Sequence, residues 1–411
     1  MTFQTSSEGP GTRAELIPEG CADLITGLRH TLHRNAELSG TEHKTKAILM
    51  DFLRAHTDFT VTDRGAWFYA FRGAAAPADD AASTAAPAFP AAADFEAPAA
   101  KPPIAIRADM DALPIPETCS LPYASEDPAV SHRCGHDGHS AALCGLALAL
   151  TGQPLPRDVY LIFQHAEETG AGARICAELL SEKGIREIYA FHNLNGYPLG
   201  RIVLRRGQTQ PASVGRTISF TGAPAHASAP EQGKSPARAV AELCLYTNEL
   251  LQRPHRGMLL ATVVNLNVGT KDFGVAPGAG ELSVTERAEY EEEMDALDQA
   301  LCEKARQLAA RDGLTVSFSE SDRFPATVND DSCVCLVMNA AAHVTGAPAI
   351  EMGAMWRASE DFGWYTKRCP GAIFYIGSGE DHPALHTEDY DFPDEILPTA
   401  VRMFRALIIP G

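Results

Sequence analysis

The chain has 411 residues, 45% of them hydrophobic, and a formal charge of -19; it is longer than one core usually supports. So acidic a chain repels phosphate backbones, which excludes nucleic acid as a partner, and simple solubility accounts for the charge. Ten cysteines without regular spacing, several inside apolar runs (Cys144, Cys176, Cys333, Cys335), read as reduced core residues rather than a disulfide framework. With no leader-like N-terminus and no run of about 18 apolar residues, they point to a cytoplasmic protein that does not enter a membrane.

In chain order, residues 74–103 are dominated by Ala, Pro, Asp and Ser. They hold too few large apolar groups to offset the entropy of ordering and are expected to form a flexible insertion. Four apolar runs follow, at 104–108, 159–164, 188–191 and 372–377. They do not alternate in polarity, which suits strands covered on both faces. Helical patterns at 138–150, 171–181 and 331–344 lie between them. The expected fold is therefore α/β, a mostly parallel, helix-flanked sheet in a catalytic domain made of residues 1–210 and 325–411. Between 211 and 324 the order changes to strand (216–221), helix (235–253), strand (259–268), strand (281–289), helix (291–311) and strand (315–321). That order matches a ferredoxin-like α+β unit, inserted as a second domain.

The segment His132-Arg-Cys-Gly-His-Asp-Gly-His139 packs several possible ligands into one turn ahead of the helix at 138–150. A thiolate with imidazoles suits zinc or a similar divalent ion. The glycine between Cys134 and His136 lets both point into one site, and the helix N-terminus is expected to lower the Cys134 pKa. The plainer alternative is a buried cysteine beside a surface histidine. A tight loop cannot aim every imidazole at one ion, so His132 and His139 are assigned supporting roles.

Other ligand-type residues fall at strand ends. Asp109 follows the first apolar run, Glu167 and Glu168 the second, His192 and Asn193 the third, and His386 lies in the loop after the fourth. Open α/β sheets bind ligands there. Adjacent carboxylates point in different directions, so one of Glu167 and Glu168 can bind a metal while the other takes a proton from water. A solvated acidic pair, a core histidine at 192 and a surface histidine at 386 are the alternatives.

Several ordered stretches carry a resemblance: Leu28 to Ser39, Arg107-Ala-Asp-Met-Asp-Ala-Leu-Pro114, Cys134-Gly-His-Asp-Gly-His139, Phe163 to Glu168, Phe191-His-Asn193, Gly222-Ala-Pro-Ala-His226, Ser359-Glu-Asp-Phe362 and Leu385-His-Thr387. Over nearly its whole length the chain resembles the co-catalytic metallopeptidase family that includes aminoacylases, hippurate hydrolases and amidohydrolases of auxin–amino acid conjugates. The resemblance implies two divalent ions held by Cys134, His136, Glu168, His192 and His386, with Glu167 as general base and Asp109 orienting a ligand. It implies further that the inserted domain is a lid and dimerisation unit, giving a homodimer or a dimer-based oligomer, and that its His226 stabilises the oxyanion, often in the partner's site. Such ions lower the pKa of water and polarise an amide carbonyl.

On this reading Arg287 is the candidate grip for a substrate carboxylate, with an exposed strand arginine as the alternative, and Asn193 is a further substrate-binding candidate. Manganese or zinc is expected, with cobalt or nickel also compatible with the donor set. The expected activity is hydrolysis of an N-acyl amino acid or related small amide. A dipeptidase or carboxypeptidase is the runner-up, weakly favoured by the acidic loop Gly379-Glu-Asp-His382. A non-catalytic binding scaffold and a cysteine-nucleophile hydrolase on Cys134 are less consistent with an intact set of acids. His165, where relatives usually have proline, and Lys271 to Pro277, where many read Asn-Val-Ile-Pro, depart from the pattern; neither touches the proposed ligands or base.

Overall fold

The computed structural model describes residues 20–75 and 101–409, so the expected insertion at 74–103 lies mostly outside the described residues. Twelve strands of two residues or more organise the two main sheets: β1 (Thr60–Asp63), β2 (Phe68–Arg72), β3 (Ile104–Asp109), β4 (Val159–Gln164), β5 (Glu187–Leu194), β6 (Ile202–Leu204), β7 (Ala212–Thr221), β8 (Leu259–Val268), β9 (Ala279–Ala288), β10 (Thr315–Phe324), β11 (Ile350–Glu351) and β12 (Gly371–Gly377). The long helices are α1 (Cys21–Arg34), α2 (His43–His56), α3 (His136–Leu150), α4 (Ala237–Leu251), α5 (Glu291–Asp312), α6 (Asp331–Thr345) and α7 (Leu397–Ile408).

The larger sheet runs β1-β2-β4-β3-β5-β12-β6-β11. Its centre, β4-β3-β5-β12, is parallel throughout; the antiparallel pairs lie outside it. The unbroken apolar character of these strands has a plain cause. On β4, Leu161 and Phe163 face one apolar cluster, with Leu143 and Leu146 of α3 and Phe404 of α7, while Tyr160 and Ile162 face another, with Ile188, Tyr365 and Ile373. Both sides are covered, so both parities of the strand are apolar. Helix α3 is buried along nearly its whole surface, as expected of a helix that is hydrophobic all round. Truncating one such residue, Leu146 for example, would cost about 2–5 kcal/mol.

Residues 212–324 build a second sheet, β8-β9-β7-β10, with every neighbouring pair antiparallel. This is the ferredoxin-like order. Its period-two alternation sends Ile218, Phe220, Leu282 and Val284 against α4 and α5 and leaves Ser213, Gly215, Thr285 and Arg287 on the other face. Glu286 falls on the apolar parity and is fully buried.

Some expected boundaries move. The helix foreseen over 171–181 is two short pieces, Ala173–Cys176 and Glu178–Lys183. Helix α3 starts at His136, so the ligand cluster itself forms its first turn. Strand β5 continues through Leu194, which puts His192 and Asn193 inside the strand rather than beyond it. No helix among the described residues is long and apolar enough to cross a membrane, and all ten cysteines are free thiols.

Candidate metal centre

Three strand ends and one helix start meet at the carboxyl edge of the parallel strands. Gly135 makes the turn between Cys134 and His136 possible: its φ is +94°, and a Cβ there would sit 2.6 Å from Asn193 Oδ1 and 2.9 Å from the Phe392 ring. No larger residue fits that conformation and that space. Cys134 Sγ consequently lies 3.4 Å from His192 Nε2 and 3.3 Å from His386 Nε2. His136 Nε2 is 3.7 Å from Glu168 Oε1 and 3.8 Å from Glu167 Oε2, and His386 Nε2 is 3.6 Å from Glu168 Oε1.

Ligand-type atoms within 4.8 Å of one another form the overlapping sets Cys134/His136/His192, Cys134/Glu168/His386 and His136/Glu167/Glu168. His136 Nε2 and Glu168 Oε1 are buried without a hydrogen-bond partner among the described residues. Buried polar atoms are rarely left so, and the thiol, imidazole and carboxylate donors are those a borderline-soft divalent ion takes. The residues fit a metal.

Two of the imidazoles are aimed from behind. His136 Nδ1 donates to the Asp111 carbonyl at 2.9 Å, with Asp111 Oδ1 at 3.2 Å, and His192 Nδ1 donates to the Asn193 carbonyl at 2.7 Å. Both bonds fix the tautomer that points Nε2 into the site. The His386 amide donates to the Arg133 carbonyl at 2.9 Å, holding a left-handed backbone with φ +64°. Ala166, just before the paired glutamates, is also left-handed at φ +48°, and its N–H donates to buried Glu42 Oε1 at 2.7 Å. Non-glycine residues in that region cost energy and persist where their surroundings over-determine them.

Asp111 is the residue sequence reasoning missed. Besides orienting His136 it accepts from Ser39 Oγ at 2.7 Å and from the Glu168 amide at 3.0 Å. The available signal was the alternation Asp109-Met-Asp111. Asp109 is close as well, its Oδ2 3.7 Å from His136 Nε2; it also contacts His139 Nδ1 at 2.5 Å and accepts from Arg107 at 2.8 Å. His139, expected in a supporting role, connects Asp109 to Asn193 through Nε2 at 2.6 Å.

Asn193 is a correction. It is fully buried, and its Nδ2 donates to the Cys134 carbonyl at 3.1 Å and to Tyr390 Oη at 2.5 Å. Every polar atom of its amide is engaged inside the protein, so it buttresses the ligand loop and is not presented to a substrate. The acidity expected of Cys134 is a second correction. Burial, then the carboxylates of Glu168, Glu167 and Asp109, push the thiol well above its ordinary value. Burial and three nearby acids outweigh the helix N-terminus.

Glu167 lies beside the ligand-type atoms, its Oε2 3.8 Å from His136 Nε2. It is buried, and burial together with Glu360, Glu168 and Asp361 raises its carboxyl well above the usual range, with Arg107 acting the other way. Arg107 donates to Asp109 and Asp361 and lies 3.2 Å from Glu360. Asp361 also accepts from Gln164 and from the Ala173 amide. The Ser359-Glu-Asp-Phe362 stretch thus builds a buried charged floor behind Glu167.

All of this opens into a cleft of about 600 Å³, walled by Cys134, Glu167, Glu168, His192 and His386 on one side and by Ser213, Thr285, Arg287 and Asp322 on the other. Trp356, Phe324 and Leu385 add apolar surface, and Trp356 meets the His192 ring edge-on at 5.2 Å between centroids. Half-buried Arg287 donates to Ser359 Oγ at 2.8 Å and to the Arg357 carbonyl; burial lowers its pKa. His226 is elsewhere, exposed on a two-residue ladder with Val275 and bonded to Ser228 at 2.7 Å. The acidic loop does not reach the cleft: Glu380 and Asp381 are exposed and His382 packs edge-on against Tyr390. His165 is buried beside the paired glutamates with Nδ1 unpartnered among the described residues.

The chain is similar to known proteins over most of its length. The model of peptidase family M20/M25/M40 matches residues 105–409. An N-acetyl-L-cysteine deacetylase of Bacillus subtilis is 32% identical over 72% of this chain and 71% of its own. A hippurate hydrolase of Campylobacter jejuni is 28% identical over 74% of this chain and 81% of its own. Among solved structures, a Bacillus subtilis protein described as a dinuclear metal binding peptidase superposes with a TM-score of 0.76 at 24% identity, over 95% of this chain and 98% of that one. That last likeness is one of fold.

Proposed function

The chain belongs to peptidase family M20/M25/M40, and from that premise we propose that it is a metal-dependent amidohydrolase cleaving the amide bond of N-acyl amino acids. The observation that carries the reading is the gathering of Cys134, His136, Glu168, His192 and His386 into overlapping ligand-type sets, with Glu167 beside them, at the wall of one cleft. Relatives named for deacetylation and hippurate hydrolysis support the substrate class.

Two divalent ions, manganese or zinc in the first place and cobalt or nickel as alternatives, would be held by those five residues and would supply Lewis-acid polarisation of the amide carbonyl and acidification of water. Glu167 acts as general base, taking the proton of the attacking water and later returning it to the leaving nitrogen. Arg107 and Asp109 keep the floor and His139 in place, and Arg287 grips the substrate carboxylate with paired N–H donors. His226, exposed on the 212–324 unit, serves as an oxyanion donor in a second copy's cleft, which makes the working form a dimer and that unit its lid. Free, mostly buried thiols support a reducing, cytoplasmic setting.

The test is to strip the protein with a chelator, reload it with manganese or zinc, and assay N-acetyl and N-benzoyl amino acids beside dipeptides. Metal-dependent release of the amino acid from the acylated compounds is expected. Stoichiometric metal uptake without cleavage of any of them would remove the substrate assignment, and absence of metal uptake would remove the centre itself.

A further inference from the structure

Apart from the proposed ligands and Glu167, the charged side chains lining the cleft are Arg287 and Asp322. Neither has an ionic partner among the described residues. Arg287 is held by a carbonyl and a hydroxyl. Asp322 is exposed and makes no side-chain hydrogen bond among the described residues, and its neighbour Arg323 turns to Glu320 at 3.0 Å and Asp295 at 3.2 Å. The backbone marks the same residue. Asp322 is left-handed at φ +51°, and the β10–β7 register breaks between Ser321 and Phe324. The strand leaves its ladder where this carboxylate meets the cleft, a local cost that sits with function more often than with packing.

We infer, resting on the amide-hydrolysis reading above, that the preferred substrate carries an ammonium group that docks on Asp322 as well as the carboxylate gripped by Arg287. An N-acyl derivative of a neutral amino acid has no positive charge, because acylation removes the α-amine. Its single carboxylate matches Arg287 and leaves Asp322, an exposed carboxylate at the cleft wall, to water. A second amine, on the side chain of an acylated diamino acid or at the free end of a short peptide, satisfies both. The apolar surface of Trp356, Phe324 and Leu385 is left for the uncharged part.

The experiment compares kcat/KM of the metal-loaded protein for N-acetyl-lysine, N-acetyl-ornithine and a neutral dipeptide against N-acetyl-norleucine, in wild type, D322N and D322K. Asparagine keeps the shape and accepts the left-handed backbone readily. Binding of the same compounds to E167Q, with and without D322N, is measured by calorimetry as a readout independent of turnover. The ratio of ammonium-bearing to neutral substrate is expected to fall about tenfold in D322N and further in D322K, the size of one lost charge contact of about 1.4 kcal/mol. The acyl-lysine and dipeptide arms distinguish the two sources of the ammonium. A ratio unmoved by both substitutions, or a wild-type preference for the neutral compound, overturns the inference while leaving amide hydrolysis standing. No cleavage of any compound, with Asp322-dependent binding retained, overturns the hydrolysis reading and leaves the charge assignment intact.

Discussion

The two walls of the cleft are built on opposite principles. On the wall supplied by the parallel sheet, each ligand is held from behind: His136 by Asp111, His192 by a backbone carbonyl, His386 by the Arg133 carbonyl. On the wall supplied by the 212–324 unit, Arg287 and Asp322 come off strand faces without ionic partners among the described residues. The difference teaches that two imidazoles on the first wall are fixed down to their tautomers, while the charged side chains of the second are left without a charged partner among the described residues.

The sharpest way to break the first wall is at the base. Glu167→Gln should lower kcat about 10²- to 10⁴-fold with the protein still folded and metal-bound; retention of wild-type turnover would remove Glu167 from its role. One layer back, Asp111→Asn should weaken metal binding about 10- to 100-fold, read by competition with a chelating dye, and an unchanged affinity would show that the backbone carbonyl alone orients His136.

The second wall hides a different weakness. Burial, then Asp298, raises Glu286 to about 8, against the pull of Arg216 and Arg323. A folded-state pKa above the unfolded one means that the native state binds more protons between roughly pH 4.5 and 8, so stability from this group falls as pH rises through that window. Glu286→Gln should therefore stabilise the protein at pH 8 by on the order of 2 kcal/mol and by much less at pH 5, as measured by urea unfolding. Equal gains at both pH values would exclude titration as the cause. The smallest expected effect belongs to Arg287→Lys, which keeps the charge but loses the fork and should raise KM about tenfold with kcat nearly constant; a fall confined to kcat would place Arg287 at the reacting atoms instead.

Much of the first wall was legible in the sequence because strand ends and ligand types coincide. Cys134, His136, the paired glutamates and His192 all carry local signals, and the unit at 212–324 announced itself by element order. What escaped depends on contacts across long separations. The Asp111 bonds to Ser39 and His136 and the Glu42 bond to Ala166 join residues that no periodicity links. Asn193 was misjudged because its position at a strand end says nothing about which way its amide is consumed; three internal partners decide that. The acidity of Cys134 was misjudged because a helix N-terminus is visible in sequence, while complete burial and three converging carboxylates are not.

The apolar cluster of the 212–324 unit, running from Ile218 to Leu314, closes between its own sheet and helices, and Thr285 and Arg287 sit on the opposite face of the same strands. Exchanging such residues leaves both interiors untouched. Substitutions on that face can alter what the cleft meets without disturbing the packing between this sheet and its helices.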